Sequence, residues 1–229
     1  MIEEPPLLTI RRKFSRPPAD MVARFAGVPL AFICDAMNGA GALDYRIKPV
    51  PGTPETFVGI ALTCHCGPGD NLAVAGAGVL AQAGDVVMAA TDGFTGLAVV
   101  GDLLIGMMKN RGVTAFVTDG VVRDLADLRR IALPCFAVGV TPNSVHRSGP
   151  GTVGFAITIG GVSVSSGDIV IGDCDGVVVV PQERAAQVLD RLDAVRAQEA
   201  GLLAKVQAGL DAPPFGTELL ASDRVRYVD

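Results

Sequence analysis

Short apolar runs and segments with helically spaced apolar residues alternate along the middle of the chain. Residues 57–66 form a β-rich run, 70–82 an Ala/Leu/Val segment of helical character, and 85–91 (DVVMAAT) a strand after a glycine turn. An apolar run at 97–100 leads into a helical pattern at 103–111, followed by a strand at 114–118, a helix at 124–130 and a strand at 135–138. Such alternation predicts a sheet whose faces are covered by helices. From Gly154 the helical spacing disappears, and FAITI, VSV, DIVIG and GVVVVP follow at short intervals with glycine turns between them. That is the pattern of a small barrel or β-sandwich, so the expected core is mixed α/β.

The flanks differ from this core. Residues 1–20, with Pro5-Pro6 and Pro17-Pro18 around the basic Arg11-Arg12-Lys13, read as an extended N-terminal arm or a solvated tail. The core spans 21–181 and opens with two short helical patterns, separated at Gly27-Val28-Pro29 and stopped by Gly39. Residues 182–229 form a long helix, Gln182 to Gln207, started by Pro181, and a Pro/Gly-interrupted tail. Ala186, Leu189, Leu192, Val195, Leu202, Leu203 and Val206 keep a helical spacing over a charged face, so this helix must cover a neighbouring subunit or its own sheet.

Composition narrows the function. With 229 residues, no Trp, two Tyr, a net charge of −5 and lysines only at 13, 48, 109 and 205, neither aromatic stacking nor a basic surface is on offer to nucleic acid. Five cysteines, an odd number scattered through apolar runs, and the lack of a basic-then-apolar leader point to a reducing cytoplasm. The longest uncharged stretch, 148–167, is broken by Gly, Pro, Ser and Thr, and no membrane span is expected.

Several mechanisms lack their residues. Lys48 precedes a proline, and Lys109 and Lys205 lie in polar helical surroundings, whereas an imine-forming lysine needs a desolvating strand environment. No GxSxG, Walker or HExxH motif occurs, and no GxGxxG loop for a nucleotide cofactor. Cys64-His65-Cys66 is no metal triad, because in a strand the cysteines share one face and His65 points to the other. His146-Arg147, in the loop TPNSVHRSGPG, could supply a base, an anion contact or neither.

Two segments combine chemistry with position. In TDGVVRD (118–124) a strand ends, Asp119-Gly120 turns, and Arg123-Asp124 arrive where a helix begins. A carboxylate suits a hard cation and an arginine fork suits an organic anion, although a capped helix start with an ion pair explains the same dipeptide. In GDLL (101–104) a second helix starts after an apolar run, and its unpaired amides can take a substrate carboxylate. Asp102 is there either a proton carrier near a metal or a helix cap.

These motifs, with CDAMNGAG (34–41), FVGIALTC (57–64), PGDNLAV (68–74), AGDVVMA (83–89), LPCFAVG (133–139) and GGVSVSSGDIVIGDCDGVVVVP (160–181), resemble the RraA-like family over residues 31 to 181. That family includes 4-hydroxy-4-methyl-2-oxoglutarate/4-carboxy-4-hydroxy-2-oxoadipate aldolases and the regulator of ribonuclease E activity. The resemblance implies a fold like the phosphohistidine swivelling domain, with a central mixed sheet or small barrel flanked by helices and a C-terminal helical arm. It implies homotrimers or homohexamers with sites at subunit boundaries. For the aldolase branch it implies that Asp124 ligates Mg²⁺ or Mn²⁺, that Arg123 contacts the substrate, and that amides of Leu103 and Leu104, beside Gly101, hold the pyruvyl carboxylate. Asp102 matches an acidic position near metal-bound waters, and Glu199 best matches a glutamate contributed by a neighbouring subunit. The expected function is a class II, pyruvate-forming lyase acting on a 4-hydroxy-2-oxo acid, with oxaloacetate decarboxylation in the same pocket. The alternative is a non-catalytic regulator that binds a ribonuclease. Small 2-oxo acids and further copies of the chain are the expected partners, without nucleic acid, membrane or nucleotide cofactor.

Overall fold

A computed structural model describes Glu4 and residues 6–228; Pro5, and with it the first proline pair, lies outside the described residues. Four parallel strands form the centre of the main sheet: β3 (Phe57–His65), β4 (Asp85–Ala90), β6 (Ala115–Thr118) and β8 (Cys135–Ala137). Every residue of β4 is buried, as expected of a strand covered on both faces. Between these strands run α3 (Leu72–Leu80), α4 (Asp102–Asn110) and α5 (Leu125–Ile131). Their Val74, Ala77, Ile105, Met108 and Leu128 close one face of the sheet in a common apolar cluster.

The C-terminal strands correct one expectation. They make no separate barrel: the hairpin of β13 (Ile169–Asp173) and β14 (Gly176–Val180) extends the main sheet, β13 pairing antiparallel with β3. A separate ribbon, β11 (Ile157–Ile159) with β12 (Val162–Val164), lies over the second face. There Ile157, Ile159 and Val164 pack with Val86, Met88 and an edge-to-face pair of Phe57 and Phe136, 5.1 Å apart.

A third cluster joins α2 (Leu30–Ala36) to the start of α6 (Ala185–Gln207), through Ile33, Ala185, Val188, Leu189 and Leu192. The inward stripe thus begins at Ala185, and Ala186 is exposed. Beyond Val195 the helix leaves its own domain, and Leu202, Leu203 and Val206 are exposed. No helix among the described residues is long and apolar enough to cross a membrane.

The N-terminal arm is docked. β1 (Leu8–Ile10) pairs parallel with β10 (Gly151–Val153), and Arg16 reaches Asp85, with Nη2 3.1 Å from Oδ2. Asp85 has no exposed side-chain surface and also accepts the Gln82 amide at 2.9 Å. Removing the arginine strands a buried carboxylate, so Arg16→Ala is expected to cost about 3 kcal/mol in urea unfolding, while Arg16→Leu with Asp85→Leu recovers much of it. Equal midpoints for wild type and Arg16→Ala would show the arm to be dispensable.

Candidate active site

A second, three-stranded sheet places the candidate residues. β7 (Val121–Val122) lies between β5 (Ala98–Val100) and β9 (Gly139–Val140), all parallel. β5 runs directly into Gly101 and α4, and β7 runs into Arg123, Asp124 and α5. Parallel pairing therefore brings both strand-to-helix junctions side by side, at the carboxyl ends of the strands, where open α/β sheets bind ligands. The backbone N–H of Arg123 donates to Val100 O at 3.1 Å and locks the register.

At this junction Asp124 adopts the left-handed conformation, φ 62° and ψ 45°, a cost that a non-glycine residue carries where the surroundings fix it. Its Oδ2 accepts from Arg123 Nε at 3.2 Å and from the Asp102 amide at 3.4 Å. Oδ1 has no hydrogen-bond partner among the described residues. The Asp124 side chain does not cap its helix, which argues against the purely architectural reading of Arg123-Asp124. Arg123 also donates through Nη1 to Ser144 Oγ at 2.6 Å, leaving Nη2 without a partner among the described residues.

In α4 the first intrahelical bond runs from the Ile105 amide to Gly101 O. The amides of Leu103 and Leu104 precede it, and no side chain caps them. They open with Asp102, Arg123 and Gly101 on a cavity of about 640 Å³, which Ser144, Val145 and Arg147 also line. The structure thus gathers Gly101, Asp102, Leu103, Leu104, Arg123 and Asp124 in one place. Glu199 is exposed on the outer half of α6 and does not line this cavity in its own chain.

Thr118 and Asp119 are architectural. Thr118 Oγ1 accepts the Gly120 amide, and the Asp119 carboxylate takes the amides of Thr91 and Gly93. Cys64 and Cys66 are buried in the core, where their mutual hydrogen bond and burial push the Cys64 thiol well above its usual range. His65 points away to Asp92, 2.9 Å off. Sequence reasoning missed Ser144, although it singled out the surrounding loop. Of that loop's His146-Arg147, only Arg147 reaches the cavity.

The donors present suit a small divalent cation. Asp124 Oδ1 and the Asp102 carboxylate are hard oxygens, both free of hydrogen bonds among the described residues. Mg²⁺ and Mn²⁺ commonly sit on one or two carboxylates and retain several waters.

Residues 30–179 match the family model described as RraA-like, Aldolase/RraA. The chain belongs to the RraA-like family. Over 172 residues, 75% of this chain and 81% of the relative, it is 36% identical to a protein of Halalkalibacterium halodurans named "Putative 4-hydroxy-4-methyl-2-oxoglutarate aldolase". Among solved structures it is similar to an uncharacterized protein from Pseudomonas syringae pv. tomato, with a TM-score of 0.72 and 26% identity over 86% of this chain and 96% of that one. It is also similar to the RNA-processing inhibitor RraA from Thermus thermophilis, with a TM-score of 0.62 and 26% identity over 67% of this chain and 93% of that one. The mixed α/β core expected of an RraA-like protein is the one observed.

Proposed function

We propose that this RraA-like protein is a divalent-metal-dependent lyase that cleaves 4-hydroxy-4-methyl-2-oxoglutarate, or a similar 4-hydroxy-2-oxo acid, to pyruvate. The observation that carries the reading is the convergence of the free Leu103 and Leu104 amides with Asp102 and Arg123 on one cavity, with Asp124 hydrogen-bonded to Arg123 and to the Asp102 amide beside them. The amides take the substrate's C1 carboxylate, and Arg123 Nη2 faces the C2 oxygen on which enolate charge develops. Asp102 takes the C4 hydroxyl proton, through water, as the C3–C4 bond breaks to leave a carbonyl at C4, and the proton returns to C3 of the pyruvate enolate. Asp124 with Asp102 would hold the divalent cation, whose Lewis acidity would stabilise negative charge on the 2-oxo acid. Oxaloacetate decarboxylation passes through the same enolate and is the expected side activity.

The exposed outer half of α6 supports assembly as a trimer or hexamer, with Glu199 completing a neighbouring subunit's site. The reduced thiols suit a cytoplasmic enzyme. The likeness to the RraA of Thermus thermophilis supports one rival, a non-catalytic protein that binds a ribonuclease. Pyruvate release from 4-hydroxy-4-methyl-2-oxoglutarate and from oxaloacetate separates the two. Both substrates are expected to react with Mg²⁺ or Mn²⁺, and neither after excess chelator, with activity returning when metal is added back. Full activity in chelator overturns the metal assignment, and inactivity on both substrates with measurable ribonuclease binding favours the rival.

A further inference from the structure

We propose that Ser144 is a positioning residue of this site, whose hydroxyl holds the Arg123 guanidinium in the orientation that leaves Nη2 free for the substrate. The inference rests on the lyase reading above and deepens it. Arg123 is long, rich in rotamers and about one-third exposed, so nothing in its own backbone aims it. Two bonds do so, at different nitrogens of the planar fork. Nε donates to Asp124 Oδ2 at 3.2 Å and Nη1 donates to Ser144 Oγ at 2.6 Å, and together they set the plane of the group. Without the serine the fork is left on the single, longer contact to its sequence neighbour and can turn about it.

A short, exposed serine would be a poor anchor on an ordinary surface loop, but the backbone on both sides of this one is fixed. The Thr141 amide donates to Val122 O at 2.9 Å, which ties the loop's start to the residue before Arg123. Asn143 takes the Ala98 amide on its carbonyl at 3.1 Å and donates through Nδ2 to Gly96 O at 3.0 Å. Beyond Ser144, His146 donates its amide to Gly69 O and accepts from the Asn71 amide, both at 3.0 Å. The amides of Ser148 and Gly149 then converge on Asp70 Oδ2 at 2.5 and 3.0 Å, while Oδ1 takes the Leu72 amide at 2.7 Å. Asp70 is 8% exposed, and a buried carboxylate that three backbone amides satisfy clamps a loop more firmly than a neutral turn does. The clamp is itself held by β5, since Asn71 Nδ2 donates to Val99 O at 3.0 Å. Ser144 is therefore registered against β5 and β7, the two strands that lead into Gly101 and Arg123. A serine has one torsion between its backbone and Oγ, so fixing the loop fixes the hydroxyl. A donor held in place in this way needs no reorganisation as charge develops on the substrate.

The test is a double-mutant cycle on pyruvate release from 4-hydroxy-4-methyl-2-oxoglutarate by the full-length protein with Mg²⁺, using wild type, Ser144→Ala, Arg123→Ala and the double variant. Ser144→Ala is expected to lower kcat about tenfold with KM changed less than about twofold, and Ser144→Thr to recover at least about half of the lost rate. In the Arg123→Ala background the same Ser144→Ala change is expected to cost less than about twofold, because the group it orients is gone. Thermal melting of wild type and Ser144→Ala is expected to coincide, since the side chain is exposed and its bond in the fold is the one to Arg123. A tenfold loss that persists without Arg123, a rise in KM at unchanged kcat, or a Ser144→Ala variant with full activity overturns the positioning role and leaves the lyase reading standing. A wild type that releases no pyruvate from this substrate or from oxaloacetate overturns that reading and this inference together.

Discussion

Arg123→Ala is expected to lower kcat for pyruvate formation by about 10²–10³-fold while leaving the melting temperature close to that of the wild type. The side chain is about one-third exposed and bonds only to Ser144, which lines the cavity, and to the neighbouring Asp124, so little of the fold depends on it. Its backbone bond to Val100 is untouched by truncation, and β5 and β7 keep their register. What is lost is a donor aimed where negative charge develops, together with the partner that orients Asp124 Oδ2. An electrostatic contribution of this kind appears in the transition state more than in the bound substrate, so kcat falls more than KM rises. Arg123→Lys restores a charge without the fork and is expected to recover only part of the rate. A variant that keeps full activity would remove Arg123 from the chemistry.

The parts of the site that were legible in the sequence are those marked by local residue chemistry. GDLL and RD each announce a strand that ends in a helix start, and each carries its own charged group. Their adjacency was not legible, because it depends on β7, two residues long and too short for any periodicity to reveal. Long, fully buried strands such as β4 were read within a residue of their ends, while β1 and β9 were not seen at all. The strands of the β13–β14 hairpin were legible as part of a small barrel or β-sandwich, but their pairing with the main sheet was not. Alternation identifies a strand without naming its partner, and here the partner, β3, lies over one hundred residues earlier. The Arg16–Asp85 pair and the Arg123–Ser144 bond join positions 69 and 21 residues apart, and nothing local in either partner signals the other. For α6, periodicity found the apolar stripe but could not tell that only its first turns are covered within the chain.

Gly101→Ala adds a single methyl group and is expected to reduce activity at least about 100-fold, the loss typical of an ångström-scale misplacement of a reacting group. The backbone there has φ −131°, which any residue adopts, so conformational strain plays no part. The cause is space: a Cβ at this position would stand 2.3 Å from Asp124 Oδ2, 2.9 Å from Arg123 Nε and 3.1 Å from Arg123 Cγ. The carboxylate and the guanidinium must both give way, breaking the 3.2 Å contact between them and the reach of Asp124 Oδ2 to the Asp102 amide. Helix α4 loses only the long bond from its first amide to Asp124 Oδ2, since its own N-cap residue supplies no side-chain cap, and the melting temperature is expected to shift by only a few degrees. Activity and divalent-metal affinity should therefore fall together while stability holds. A junction that served only to start two helices would give the opposite result, a protein that melts early and, while folded, turns over substrate at the wild-type rate.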